Sequence, residues 1–206
     1  MPLVRAASRQ SGEPAPTAIR DRDALAEALH GGSPAERREA ARGLAASPQS
    51  AGALCARLGA EPDASVRSVI LTSLMGQRSQ AAVAALLPCL RSEDAALRNA
   101  AIEALQAMPE VLEPHVDGLL ADPDSDVRIF AVNVLAALPH AGVPGWLEGV
   151  VRTDCHVNVC AAAADALAGA GDECSVPALA ALPARFPGEP FIAFAASVAI
   201  RRIRGL

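Results

Sequence analysis

The chain has no tyrosine, and all eighteen of its basic residues are arginine, with no lysine. We read this bias, together with the abundance of Ala and Pro, as codon usage in a GC-rich genome rather than as chemistry. One Trp and four Phe complete the aromatics. So few rings do not furnish the basic, aromatic-bearing groove that holds phosphates and bases. Charge points the same way. The first 103 residues carry twelve Arg against eleven acids, and the remainder six against twelve. Nucleic acid is therefore not expected as a partner. No run approaches the ~18–20 apolar residues that a membrane helix needs, so no membrane insertion is expected. The N-terminus shows no hydrophobic segment followed by a cleavage site, which makes the cytoplasm the expected compartment. Cys-x-x-Cys is absent. The five cysteines (Cys55, Cys89, Cys155, Cys160, Cys174) are odd in number and irregularly spaced. That argues against a disulfide framework and for reduced, mostly packing thiols. A phosphate loop, a nucleophile elbow and a zinc-protease motif are all missing, so neither an enzyme nor a cofactor is expected.

What the sequence has instead is a repeat. Val159 to Asp172 reads as one small-residue helix with a Gly stop, and the same frame recurs upstream in Glu36–Leu44, Val66–Leu74, Leu97–Leu105 and Val127–Leu135. Each has a lead residue, a small or apolar residue at +4 and Leu at +8. The closing leucines Leu44, Leu74, Leu105, Leu135 and Leu167 are spaced by 30, 31, 30 and 32 residues. A fixed step of ~20–50 residues is the mark of a solenoid.

Between these inner helices lie outer ones, set by apolar residues three and four apart: Leu54 and Leu58; Val83, Leu86, Leu87 and Leu90; Val116, Leu119 and Leu120; Val143, Trp146, Leu147 and Val150; Val176, Leu179 and Leu182. The first helix is expected from Asp21, with Leu25 and Leu29 on its inner face. Ser33-Pro34-Ala35-Glu36 then spells a capping box with Pro in the first turn. Ile192, Ala196 and Ile200 keep the frame, so a sixth, degenerate unit closes the array. The expected architecture is all-α: a right-handed superhelix of six two-helix units over 21–206, preceded by a flexible tail over 1–20.

The inner helices share an entry motif. Asp63 precedes Arg67 by four, Asp94 precedes Arg98, and Asp124 precedes Arg128. The Asp suits a helix N-cap. The Arg, one turn in, is placed to reach the cap Asp of a neighbouring unit, making a ladder of charge-assisted bonds. This motif, as Asp63-x-x-Val66-Arg67, Asp94-x-x-Leu97-Arg98 and Asp124-x-x-Val127-Arg128, resembles the short bacterial HEAT-like repeat of the phycobilisome-lyase type. The resemblance covers about Asp21 to Ile203. It implies two antiparallel helices per unit, with the second helices lining a concave surface, and a role as an interaction scaffold. It also implies the alternative of bilin lyase-like or chaperone activity on a chromophore-bearing protein. Related helical-repeat di-iron hydroxylases carry repeated His-Glu pairs, but none of His30, His115, His140 and His156 is followed by Glu.

Unit five breaks the motif, with His156 at the Asp position and Cys160 at the Arg position. With Cys155 beside them, these residues are either repeat drift or a thiol-based sensor at a helix start, where a thiol pKa is lowered. A metal site wants about four converging ligands. Cys174, the fourth candidate, lies beyond the far end of the same helix, so no metal is expected.

A partner surface is expected on the concave side. The +6 positions give Arg42, Thr72, Glu103, Asn133 and Asp165. The +2 positions include Asn99 and Ile129. Together they form a ribbon running from basic to acidic. Near the end, Phe186, Phe191 and Phe194 are expected to seal the open core, with Phe194 as a dimer or partner contact should it be exposed. The expected function is a non-enzymatic scaffold, adaptor or assembly factor that binds another protein along this ribbon, as a monomer or weak homodimer.

Overall fold

The computed structural model describes residues 16–206, with side chains from Asp21 onward. The first helix, α1 (Pro16–Gly31), begins inside the stretch read as tail; residues 1–15 lie outside the described residues. Six two-helix units follow one another as an α-solenoid, and no strand occurs among the described residues. In the first three units the outer and inner helices are α1 and α2 (Pro34–Leu44), α3 (Ala51–Ala60) and α4 (Ala64–Gln77), then α5 (Gln80–Leu86) and α6 (Ala95–Gln106). In unit four the outer element is split into α7 (Pro109–Leu112) and α8 (Val116–Leu120), ahead of inner helix α9 (Ser125–Ala136). Units five and six are α10 (Val143–Thr153) with α11 (Val157–Ala170) and α12 (Val176–Arg185) with α13 (Pro190–Ile203).

Local chemistry explains the boundaries. Ser33 Oγ accepts from the Glu36 amide at 3.4 Å while the Glu36 carboxylate accepts from the Ser33 amide at 2.7 Å, closing the capping box ahead of Pro34. Pro109, Pro144 and Pro177 sit in first turns, where their missing N–H leaves nothing unsatisfied. Pro114 opens the 3₁₀ turn Glu113–His115 that divides unit four's outer helix. Its ring removes the donor that would join α7 to α8.

Burial follows the repeat frame. Leu44, Leu74, Leu105, Leu135 and Leu167 are all at most 2% exposed. The +4 residues Ala40, Ile70, Ala101, Ala131, Ala163 and Ala196 are buried with them. Each inner helix packs on the next, from α2 through α4, α6, α9 and α11 to α13. The outer row is less continuous. α3 packs on α5, and α10 on α12, but α8 and α10 scarcely touch.

Candidate functional site

Most inner helices are entered through one backbone device. The residue two places before the N-cap accepts from the cap's N–H: Glu61 from Asp63 at 2.9 Å, Ser92 from Asp94 at 3.1 Å, Asp122 from Asp124 at 2.9 Å and Asp154 from His156 at 2.8 Å. The cap residues Asp63, Asp94 and Asp124 accept from the first amides of their own helices.

The arginine does not reach a neighbouring cap Asp. Those carboxylates are already turned onto their own helices. It reaches the acid two residues ahead of the next cap instead. Arg37 holds Glu61 through two 2.8 Å bonds. Arg128 holds Asp154 at 2.7 and 3.0 Å. Arg57 adds a third bond to Glu61 at 2.8 Å. Burial alone would raise the Glu61 carboxyl, but the bonds from Arg37, the Asp63 amide and Arg57 outweigh it and bring the pKa down to about 2.

The remaining rungs depart from this pattern. Ser92 stands where an acid would meet Arg67, and the Arg67 guanidinium makes no hydrogen bond or ion pair among the described residues. Asp122 stands where an acid would meet Arg98, but Asp122 is bound by Arg91. Arg98 lies over the Phe130 ring, 4.7 Å from its centroid, and donates to the Ser92 carbonyl at 2.6 Å, while its Nε is buried without a partner. In unit five Cys160 is fully buried at the Arg position, and burial pushes its thiol pKa up. Arg185 of α12 supplies the missing guanidinium. It donates to the Asp154 carbonyl at 2.6 Å, six residues before Cys160, as Arg98 and Arg128 do to the carbonyls six residues before themselves. Nothing in the local sequence signals that exchange, because the substitute comes from the next unit's outer helix.

Cys155, His156 and Cys160 do not form a bonded cluster. Cys155 is exposed, Cys160 is buried and donates to the Asp154 carbonyl at 3.3 Å, and the His156 Nδ1 is buried without a partner. No group of three or more His, Cys, Asp or Glu side chains that could hold a metal occurs among the described residues.

On the inner face Arg42, Thr72, Asn99, Glu103, Asn133 and Asp165 are exposed, and Ile129 is half-buried. They do not form one continuous groove. Between α4 and α6 a groove of about 450 Å³ opens. Its walls bring Ser68, Thr72 and Glu103 together with Leu71, Met75 and Leu97, and Arg67 lines it as well. The unpaired arginine of the open rung therefore lies in an inner-face groove that combines the expected ribbon with apolar side chains. From α9 to α13 the inner helices pack more closely.

Sequence reasoning did not find two other features. An outer cleft of about 640 Å³ fills the gap between α8 and α10, lined by Leu120, Trp146, Gly149, Thr153 and Cys155 over the Arg128–Asp154 pair. Trp146 stacks on His140, with ring centroids 4.9 Å apart. The aromatic seal expected at the end of the chain is also corrected. Phe186 packs against the core, but Phe191 is 43% and Phe194 68% exposed. Both rings stand on the last inner helix, with no seventh unit stacked on it among the described residues.

Residues 22–106 match the family model for HEAT repeats. Two crystal structures of engineered proteins from the Northeast Structural Genomics Consortium are each 20% identical to the chain and cover 90% of it. They are covered over 97% and 99% of their own lengths, with TM-scores of 0.40 and 0.41. No curated protein matches the chain. No helix of the described residues is long and apolar enough to cross a membrane.

Proposed function

We propose that the chain is a non-enzymatic protein-binding scaffold, adaptor or assembly factor of the bacterial cytoplasm, whose partner docks on the inner helices. Two kinds of observation support this. Repeats of the HEAT type stack into extended concave surfaces suited to binding another protein. The single feature that carries the reading here is the α4–α6 groove, where Leu71, Met75 and Leu97 offer an apolar floor beside the unpaired Arg67 guanidinium. Such a groove suits a partner segment that places an apolar side chain next to a carboxylate. The ribbon residues Arg42, Asn99, Ile129, Asn133 and Asp165 extend the contact along the solenoid, and the exposed Phe194 ends it. The phycobilisome-lyase type is the finer form of this reading. It rests on the entry motif alone, and a change in visible absorbance on mixing with a bilin-bearing protein would support it.

The test compares tagged wild type with a Thr72→Arg/Glu103→Arg variant in pull-downs from the source lysate. Both substitutions are at exposed positions, and thermal melting checks that the variant is folded. A protein held by the wild type and lost by the folded variant is the expected result. Equal retention by both, or retention by neither, overturns the reading.

A further inference from the structure

Cys55 and Cys89 are 34 residues apart in sequence, in units two and three, yet their sulfurs lie 3.3 Å from each other. Both are half-buried. They form part of the wall of an outer groove of about 430 Å³, together with Gly52, Ala56, Gly59 and Ser92. Small residues recur along the exposed side of α3, and at Gly52 nothing lies within 4 Å of where a Cβ would project. The thiols are thus open to a small reagent. The sulfurs need to approach by little more than 1 Å to reach the S–S bond length of roughly 2.05 Å.

We propose that Cys55 and Cys89 are a reactive dithiol, oxidised by a small hydroperoxide to a disulfide that joins units two and three, with Cys89 as the attacking thiolate and Cys55 as the resolving thiol. The Cys55 thiol donates its one proton to the Ala85 carbonyl at 2.7 Å, which holds Cys55 in the thiol form, and its sulfur stands 3.3 Å from that of Cys89. Contact with the neighbouring Cys55 side chain lowers the Cys89 pKa to about 7 despite burial. The same pairing, with burial, raises that of Cys55. A thiolate is the nucleophile in such chemistry, and a pKa near ambient pH combines thiolate content with nucleophilicity.

The steps balance. The Cys89 thiolate attacks the terminal oxygen of the hydroperoxide. An S–O bond forms, the O–O bond breaks, and the electron pair leaves on the alkoxide, which takes a proton to become an alcohol (or water, from hydrogen peroxide). Cys55 sulfur then attacks the Cys89 sulfenic acid. The S–S bond forms, the S–O bond breaks, and the departing hydroxide takes the Cys55 proton as water. Two electrons pass from the dithiol to the peroxide. A low-molecular-weight thiol reverses the bond by exchange. This proposal is independent of the partner reading. It concerns the outer face, and its readout needs no partner.

The experiment uses the full chain with the exposed thiols removed as Cys155→Ser and Cys174→Ser. Hydrogen peroxide is added, remaining thiols are alkylated, and tryptic peptides are read by mass spectrometry. The expected product is peptide 43–57 linked to peptide 79–91, two hydrogens lighter than the pair and restored by reductant, with a rate that rises through a midpoint near pH 7. Absence of that link at peroxide levels that oxidise half-buried Met75 overturns the proposal. Two near-isosteric variants test the roles. With Cys55→Ser, dimedone should trap a sulfenic acid on Cys89. With Cys89→Ser, Cys55 should stay unlabelled, and labelling of Cys55 at an equal rate overturns the assignment of the nucleophile.

Discussion

The middle and the C-terminal end of the solenoid use one repeat frame but fill the space between inner helices in opposite ways. α11 carries Ala161, Ala162, Ala163, Ala164, Ala166, Ala168 and Ala170, and its neighbours α9 and α13 close tightly on it. Short side chains allow short interaxial distances. α4 and α6 carry Leu71, Met75 and Leu97 at the corresponding surfaces, pack less closely, and leave a groove between them. The rungs divide in a related way. Arg128 is sealed against Asp154, and Arg185 supplies the guanidinium-to-carbonyl bond that Cys160 lacks, whereas Arg67 in the middle has no acid to meet. The end of the solenoid is therefore built to be rigid, and its middle to offer surface.

The largest effect should come from breaking a sealed rung. Arg128→Ala leaves the Asp154 side chain, 6% exposed, without its counterion. Removing one member of a buried pair costs about 3–5 kcal/mol. Arg67→Ala, which breaks no bond, should stay within about 0.5 kcal/mol of wild type. Urea denaturation of the two variants checks the contrast, and equal losses would show that the rungs do not differ.

The next effect is on pH. Glu61 is held near pKa 2 in the folded chain, below its ordinary value of 4.5, so the folded state favours its ionised form. That stability is complete above pH 4.5 and is lost as pH falls through 4.5 toward 2, at a cost on the order of 2–3 kcal/mol. Glu61→Gln should flatten this acid limb in melting curves taken from pH 6 to pH 2. An unchanged limb would remove Glu61 as its source.

Smaller again is an overpacking effect at the rigid end. Ala163 is fully buried in α11. Ala163→Leu should cost about 1–3 kcal/mol by forcing neighbours apart. The same added bulk at exposed Ser68 in the groove should cost less than about 0.5 kcal/mol. Comparable melting temperatures for the two variants would contradict the difference in packing.

The solenoid was legible in the sequence because it is written in a period. The spacing of Leu44, Leu74, Leu105, Leu135 and Leu167 fixes the inner helices, and Ser33-Pro34-Ala35-Glu36 marks a helix start by local chemistry alone. The rungs were half legible. Asp63, Asp94 and Asp124 cap their helices because capping depends on neighbours in sequence. The partners of Arg37 and Arg128 depend on how far one unit's side chain reaches into the next, and a guanidinium passes the cap to meet Glu61 or Asp154. Contacts between units are the ones a periodic pattern hides, since every unit predicts the same neighbour. Arg185 beside Cys160, Cys55 beside Cys89 and the cleft beside Trp146 all arise where one unit departs from the pattern and another answers it.

Ser92→Asp tests the comparison most directly, although its energy is the smallest. In the next two units an aspartate occupies this place and still accepts from the cap amide, at 2.9 Å for Asp122 and 2.8 Å for Asp154. The substitution therefore keeps the bond that Ser92 makes to Asp94, and Arg98 keeps its bond to the backbone carbonyl of residue 92. What changes is Arg67, which gains the carboxylate its rung lacks. A partly exposed pair of this kind contributes about 0.5–1 kcal/mol, which raises the melting temperature by roughly 1–4 °C in a chain of this size. The same pairing draws the guanidinium out of the α4–α6 groove, so a partner that uses Arg67 should bind the more stable variant less well. A higher melting temperature with undiminished partner binding would separate the rung from the groove. An unchanged melting temperature would show that the missing acid is not what leaves Arg67 unpaired.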